Sequence, residues 1–247
     1  MTEKYFYFNS YAKFAKKVTK NNSHILSARY RFLTNKYKYI CEDICEKLSL
    51  KKSDDIFDIG TGDGKIIDYL SKKCRSATTI DSEEVINATK HNKKIIYLKG
   101  NIHEEGKKIK QRFDKILVYS VVQYFRNVND VCTFINLCLK LLKAEGTILI
   151  GDIPNRDMDL RYQNTKNYKK LSKIFDKKRK LHISKLEEEF FSDNKVKTIQ
   201  FSDKILISLM KKFNTLNYES YILPQNKFLP YSVKRVDLLI RKRSQIF

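Results

Sequence analysis

Three of the seven glycines in this 247-residue chain, Gly60, Gly62 and Gly64, fall in one turn. Ile56, Phe57 and Ile59 precede it as a short apolar run, and Ile66, Ile67 and Leu70 follow it at helical spacing. The pattern predicts a buried strand, a tight turn and the first turns of a helix. Glycine is required where φ is positive or where a ligand lies against the main chain. The helix N-terminus adds unsatisfied N–H groups and a partial positive charge. The chemistry on offer is therefore a main-chain cradle. The dinucleotide fingerprint G-x-G-x-x-G does not fit, because the third glycine comes one residue early and Lys65 holds its expected place. Two carboxylates accompany the turn: Asp58, two residues before Gly60, and Asp81, roughly 20 residues beyond it, where an acid can accept hydrogen bonds from both hydroxyls of an adenosine ribose. Taken alone, the turn also reads as a structural strand-to-helix link, and Asp81-Ser82 as a helix N-cap with Glu83 and Glu84 in the first turn.

Further polar residues stand at the ends of apolar runs: Asn101 in Gly100-Asn101-Ile102, then Ser120, Gln123 and Tyr124, then Asp152 and Asn155. Asp152 is the first candidate for an acceptor contact or a base, with a loop cap as its alternative. Of the histidines His24, His91, His103 and His182, only His182 follows a basic cluster, Lys177-Lys178-Arg179-Lys180, which could meet a phosphate or form a solvated helix face. The five cysteines, Cys41, Cys45, Cys74, Cys132 and Cys138, are odd in number and lack zinc-type spacing, so they read as reduced, mostly buried thiols, and no metal site is expected.

The elements that must position these residues alternate. Strands are expected at 56–59, 77–80, 95–98, 116–119 and 147–150, with helices at 65–73, 83–91, near 104–112 and at 130–143. This alternation is that of a parallel sheet covered on both faces. Residues 1–50 read as a helical cap in which Tyr11 and Tyr30 could touch ligand; 51–155 as a ligand-binding core; 156–192 as a charged helical insertion or lid. Residues 193–247 hold an amphipathic helix at 203–213 and two strands, 218–223 and 236–241, joined by a proline-containing loop with Gln225, Tyr231 and Arg235. All of this reads as one domain.

With 42% hydrophobic and 32% charged residues the chain is globular rather than disordered. No apolar run approaches the roughly 20 residues that span a bilayer, and no basic-then-apolar leader is visible, so the cytoplasm is the expected location. The net charge of +22 comes mainly from scattered lysines. It suits solvated faces, a small anionic substrate or, as a second partner class, nucleic acid. Nothing in the sequence specifies an oligomeric state.

The run Asp58-x-Gly60-x-Gly62-x-Gly64, with Ile80-Asp81-Ser82, Gly100-Asn101-Ile102, Phe113-Asp114-Lys115-Ile116 to Ser120, and Leu141-Leu142-Lys143-Ala144-Glu145-Gly146-Thr147, resembles the class I S-adenosylmethionine-dependent methyltransferases over about residues 50–155. The final 45 residues match by layout. The resemblance implies a Rossmann-like α/β fold with a seven-stranded sheet in the order 3-2-1-4-5-7-6, the last strand antiparallel. It implies S-adenosyl-L-methionine as cofactor and S-adenosyl-L-homocysteine as product. Cofactor contacts would come from Asp58, Gly60, Thr61, Gly62, Gly64, Asp81, Ser82, Asn101, Ile102 and Ser120, with Tyr11 added from the cap. Asn101 stands where the family usually has Asp. Gln123 and Tyr124 stand where many relatives carry His-His, and the Asn/Asp-Pro-Pro-Tyr motif of nucleic-acid N-methyltransferases is absent. Asp152, Gln123, Tyr124 and His182 are the catalytic candidates; Asn155, Gln225, Tyr231 and Arg235 the acceptor-binding ones. The C-terminal loop resembles, over a short stretch, methyltransferases of bacterial capsule and surface-glycan pathways. The expected function is O-methylation of a small anionic or sugar/phosphate-containing acceptor. An RNA or protein methyltransferase and a non-enzymatic nucleotide-binding domain are the alternatives.

Overall fold

A computed structural model describes residues 6–193, 198–215 and 217–243. Seven strands, β1 (Asp55–Ile59), β2 (Ser76–Asp81), β3 (Ile95–Lys99), β4 (Phe113–Tyr119), β5 (Leu142–Pro154), β6 (Tyr218–Pro224) and β7 (Arg235–Lys242), form one sheet in the order β3-β2-β1-β4-β5-β7-β6. The pairs among β1 to β5 are parallel, and β7 runs antiparallel to both β5 and β6. The order and the antiparallel strand are those expected from the sequence.

Successive side chains of a strand point to opposite faces, and the core divides accordingly. Phe57, Ile59, Ile116, Val118, Ile148 and Ile150 pack on one face with α6 (Val128–Lys140) and α10 (Asp203–Phe213). Ile56, Leu117, Tyr119 and Leu149 pack on the other with α2 (Tyr37–Leu48) and α3 (Lys65–Ser71). Both faces being covered explains why β1 is buried along its whole length.

Some boundaries differ from expectation. The helix after β2, α4, spans only Glu83–Ala88. Thr89 ends it by turning extended, its hydroxyl donating to the carbonyls of Val85 (2.8 Å) and Gly62 (2.9 Å). The helix near 104–112 shrinks to α5, Ile102–Glu105, capped by the Asn101 side chain. Residues 141–143 leave the expected helix, because the Phe113 N–H takes the Leu141 carbonyl and β5 begins at Leu142.

The insertion holds α7 (Arg156–Gln163), α8 (Lys166–His182) and α9 (Lys185–Asp193), and the N-terminal α1 (Phe6–Ala15) and 3₁₀ turns at Lys20–Ser27 and Arg31–Lys36 lie against α8 and α9. Buried Glu187 fixes this contact: it accepts from His24 Nε2 at 3.1 Å, which requires that nitrogen protonated, and from the Arg31 N–H at 2.8 Å. Phe190 of α9 packs edge-on against Tyr11 and Phe14, and Tyr30 lies 4.2 Å from Phe191, ring centre to ring centre. No helix among the described residues is long and apolar enough to cross a membrane.

Candidate functional site

The glycine turn opens at the carboxyl end of β1. Gly60, Gly62 and Gly64 all take positive φ, at 96°, 54° and 75°. At Gly62 a Cβ would meet Ser27 Oγ at 2.7 Å and the Leu26 carbonyl oxygen at 3.2 Å, so the N-terminal segment lies directly on the turn. Beneath, the Thr61 and Thr79 hydroxyls share a 2.6 Å hydrogen bond, and Thr79 donates to Asp58 Oδ2 at 3.1 Å. The turn borders a cleft of about 240 Å³ that runs along the strand ends from Asn101, Ile102 and His103 to Tyr119 and Ser120.

Asp81 ends β2 with its carboxylate in this cleft. Oδ1 accepts the Ser82 N–H at 2.8 Å and Oδ2 the Gly62 N–H at 3.2 Å. Burial pushes its pKa up to about 6, and the main-chain donors of Gly62, Ser82 and Thr61 limit the rise. Asp58, also lining the cleft, is pushed up to about 8: burial dominates, the Thr79 hydroxyl opposes it, and the charge of Asp81 adds to it. Two buried acids thus face one cavity with affinity for donors or positive charge to spare. Asn101 Oδ1 caps α5 by accepting from the His103 N–H at 2.9 Å, which leaves its second lone pair and its amide nitrogen.

The cleft is closed by the N-terminal segment. Tyr11 donates from its hydroxyl to that of Tyr124 at 3.0 Å, with rings edge-on at 5.3 Å. Leu26, Ser27, Ala28 and Arg29 line the same wall. Arg29 is 6% exposed, and its guanidinium lies over the rings of Tyr37 and Tyr119, 5.6 and 5.7 Å from their centres. Tyr119 reaches this position because its ring crosses Gly151, where a Cβ would sit 2.4 Å from it.

At the ends of β4 and β5, Ser120 donates from Oγ to Asp152 Oδ2. Asp152 also lies 4.0 Å from Arg29 and 3.8 Å from Arg235, whose Nη1 donates to the Asp152 carbonyl at 2.8 Å. Gln225 donates to Asp237 at 3.1 Å and reaches Asp152 and the Tyr119 hydroxyl at 3.4 Å. Asp237 in turn accepts from Lys47 at 2.6 Å and from the Asp152 N–H at 2.8 Å.

Of the residues singled out in the sequence, Tyr11, Asp58, Gly60, Thr61, Gly62, Asp81, Asn101, Ile102, Ser120 and Tyr124 line the cleft. Asp152, Gln225 and Arg235 form the polar layer behind Ser120 and Arg29. Gly64 supports the turn from behind, close against Thr89. Ser82 caps α4 by accepting the Val85 N–H. Gln123 is buried and donates to the Ser120 carbonyl. Asn155 caps α7 and donates to Asp203. Tyr231 packs by Phe175 under Arg235, and burial pushes its hydroxyl up to about 12. His182 ends α8, exposed. Arg29, His103 and Tyr119 also line the wall and were not among the site residues expected from the sequence. Among the described residues no His, Cys, Asp and Glu cluster could hold a metal ion, and all five cysteines are free thiols.

Residues 57–150 match the methyltransferase domain family profile. No curated protein sequence matches the chain. Among solved structures, the chain is similar to the plantazolicin methyltransferase BpumL bound to a monoazolic desmethylPZN analog and SAH, at 19% identity over 89% of this chain and 90% of that one, TM-score 0.58. It is similar to the N-methyltransferase NodS from Bradyrhizobium japonicum WM9 with S-adenosyl-L-homocysteine, at 15% identity over 87% and 89%, TM-score 0.53. It is also similar to Haemonchus contortus phosphoethanolamine N-methyltransferase 1 with phosphoethanolamine and S-adenosylhomocysteine, at 14% identity, TM-score 0.65; all of this chain matches 51% of that one.

Proposed function

We infer that the chain carries a class I S-adenosylmethionine-dependent methyltransferase domain, on the order of its sheet and the family match over residues 57–150. The cofactor suits the groups that line the cleft. At Gly62 the N-terminal segment packs directly on the turn, and Gly60, Thr61 and Gly62 border the cleft, where a ligand can lie against main chain. Asp81, Asn101, Ile102 and Asp58 line the cleft; in this reading Asp81 accepts from the ribose hydroxyls, Asn101 and Ile102 flank the base, and Asp58 is a buried acid for the amino group. Gly60, Thr61, Ser120 and Tyr11 complete the walls, and Gly64 and Ser82 hold the turn and the end of β2 in place.

When bound, S-adenosylmethionine supplies a methyl group on a cationic sulfonium. What remains for the protein is orientation and exclusion of water. Tyr11 and Tyr124 close the cleft side by side, and Tyr124 positions the acceptor. Gln123 fixes the backbone of Ser120. Asp152, shared between two guanidinium groups, is a positioning carboxylate rather than a base. We give His182 no role in the chemistry. Among the described residues, those of 1–50 act as a cap and those of 156–192 as a lid on residues 51–155, with those of 193–247 completing the sheet and its polar layer; residues 1–5, 194–197, 216 and 244–247 lie outside the described residues.

The acceptor is a small molecule bearing an anionic group. The observation that carries the activity is the meeting of the glycine turn and Asp81 in one cleft closed by Tyr11 and Tyr124. An anionic oxygen acceptor needs little help from a base, in keeping with Gln123 and Tyr124 where relatives carry histidines. A sugar or phosphate-bearing precursor of a surface glycan is the finer assignment, suggested by the Gln225–Arg235 loop. A nitrogen acceptor is the second reading, favoured by the N-methyltransferases among the similar structures. Radiolabelled S-adenosylmethionine incubated with acidic metabolites, nucleotide-linked sugars, amines and RNA tests this. Label on an acidic small molecule is expected, and NMR of the product distinguishes oxygen from nitrogen. Label on RNA alone would overturn the acceptor class.

A further inference from the structure

Four buried side-chain nitrogen or oxygen atoms lack a hydrogen-bond partner among the described residues, and one belongs to a cation: Nε of Arg29. The charge is met only through space, by an ion pair with Asp152. Its nearest carboxylate oxygen, Asp152 Oδ2, is 4.0 Å from Nη2, beyond hydrogen-bond reach. That carboxylate is already held by Ser120 and shared with Arg235. The other carboxylate nearby, Asp63, is taken by the hydroxyls of Tyr37 at 2.6 Å and Ser27 at 2.9 Å, with Lys65 at 3.4 Å.

A buried guanidinium N–H without an acceptor is unfavourable, and Nε of Arg29 is a donor that no described residue takes up. The flanking rings of Tyr37 and Tyr119 leave the edge of the fork, where all its N–H groups lie, for a partner. Arg29 lines the cleft at the Ser120 end, opposite the Asn101 end. A planar fork in such a place matches a carboxylate or phosphate through paired N–H donors.

We propose that Arg29 is the oxyanion-binding residue of the cleft and takes a carboxylate or phosphate of a bound molecule on the edge of its guanidinium. The proposal rests on the reading that the cleft binds the adenosyl cofactor. The oxyanion has two sources, the cofactor's own carboxylate or the anionic group of the acceptor.

Calorimetry on the full chain separates them. The probes are S-adenosylhomocysteine, 5′-methylthioadenosine, which keeps the adenosine and thioether but has no carboxylate, and inorganic phosphate. Arg29→Met removes the charge, and Arg29→Lys keeps it without the fork, serving also if the methionine variant fails to fold. If the cofactor supplies the oxyanion, Arg29→Met weakens S-adenosylhomocysteine by at least about tenfold and leaves 5′-methylthioadenosine unchanged, with Arg29→Lys between. If the acceptor supplies it, S-adenosylhomocysteine binding is unchanged, but phosphate binds the S-adenosylhomocysteine-saturated wild type and not the variant. Equal affinities of wild type and variant for all three probes overturn the proposal, as does an equal loss for both nucleosides. If the wild type binds neither nucleoside, the cofactor reading fails, and phosphate titrated into ligand-free wild type and Arg29→Met still decides the role of Arg29.

Discussion

Ser120 and Asp152, at the carboxyl ends of the adjacent parallel strands β4 and β5, both take left-handed backbone, with φ of 59° and 61°, and the Ser120 hydroxyl donates to the Asp152 carboxylate. Neither is glycine, so each left-handed residue costs about 1 kcal/mol or more. The sheet holds them there: the Ser120 N–H takes the Gly151 carbonyl at 3.0 Å, the Asp152 N–H takes Asp237 at 2.8 Å, and the pairing of β5 with β7 shifts register between Ile150 and Ile153. The bend turns both side chains toward the cleft end at which Arg29 lies, joining the strain of two backbones to the placement of one polar cluster.

Asp152→Asn keeps the shape and removes the charge that Arg29 and Arg235 share. Breaking a buried ionic contact costs about 3 kcal/mol, so the melting temperature is expected to fall by several degrees. Turnover should fall at least about tenfold, as a misplaced acceptor predicts, while S-adenosylhomocysteine affinity holds. Unchanged turnover would remove Asp152 from the acceptor side.

Gly62→Ala tests the cradle. Its φ of 54° disfavours any side chain, and the new methyl would meet Ser27 Oγ and the Leu26 carbonyl. A destabilisation of about 1–2 kcal/mol is expected from the backbone alone, with S-adenosylhomocysteine binding weakened as the N-terminal segment is pushed off the turn. Normal binding would show that the turn does not carry the ligand.

Asp81→Asn removes a charged acceptor with little change of size. Hydrogen bonds to a charged group contribute about 1.5–3 kcal/mol, so affinity for S-adenosylhomocysteine should fall roughly 10- to 100-fold by calorimetry. An equal affinity would end the assignment of this residue to the ribose.

The ligand-free protein should lose stability as the solution becomes alkaline. Asp58, at about 8 when folded against its ordinary 3.8, holds a proton through neutral pH that the unfolded chain has released. Its contribution is fully present below about pH 4 and is lost as pH rises through about 8. Asp81 adds the same trend over a lower window, up to about 6. Melting temperatures measured from pH 5 to 9 should decline, and Asp58→Asn should flatten the upper part of that decline. A parallel curve for the variant would place the titration elsewhere.

The sheet and the glycine-turn side of the cleft were legible in the sequence because both are local. Gly60, Gly62, Gly64 and Asp81 stand at strand ends, and a strand end in this topology is a place in the cleft. The other wall was not legible. Arg29 acquires its position from Tyr37, Tyr119 and Gly151, and the cap is fixed to the insertion by His24 and Glu187, 163 residues apart in sequence. No periodicity records such contacts. Asn155 is a different case: a polar residue after a strand reads alike as a ligand contact or a helix cap, and its side-chain oxygen caps α7 through the N–H groups of Asp157 and Met158. The early end of α4 likewise depends on a tertiary bond, from Thr89 to the Gly62 carbonyl.

The most direct test of the central claim is a crystal structure of the protein grown with S-adenosylhomocysteine. The expected result is one molecule in the cleft, its ribose hydroxyls on the Asp81 carboxylate, its base beside Asn101 and its amino-acid end over Gly60–Gly62. A molecule bound elsewhere, or a cleft left without it at saturating concentration, would contradict the assignment of this fold's chemistry to the chain.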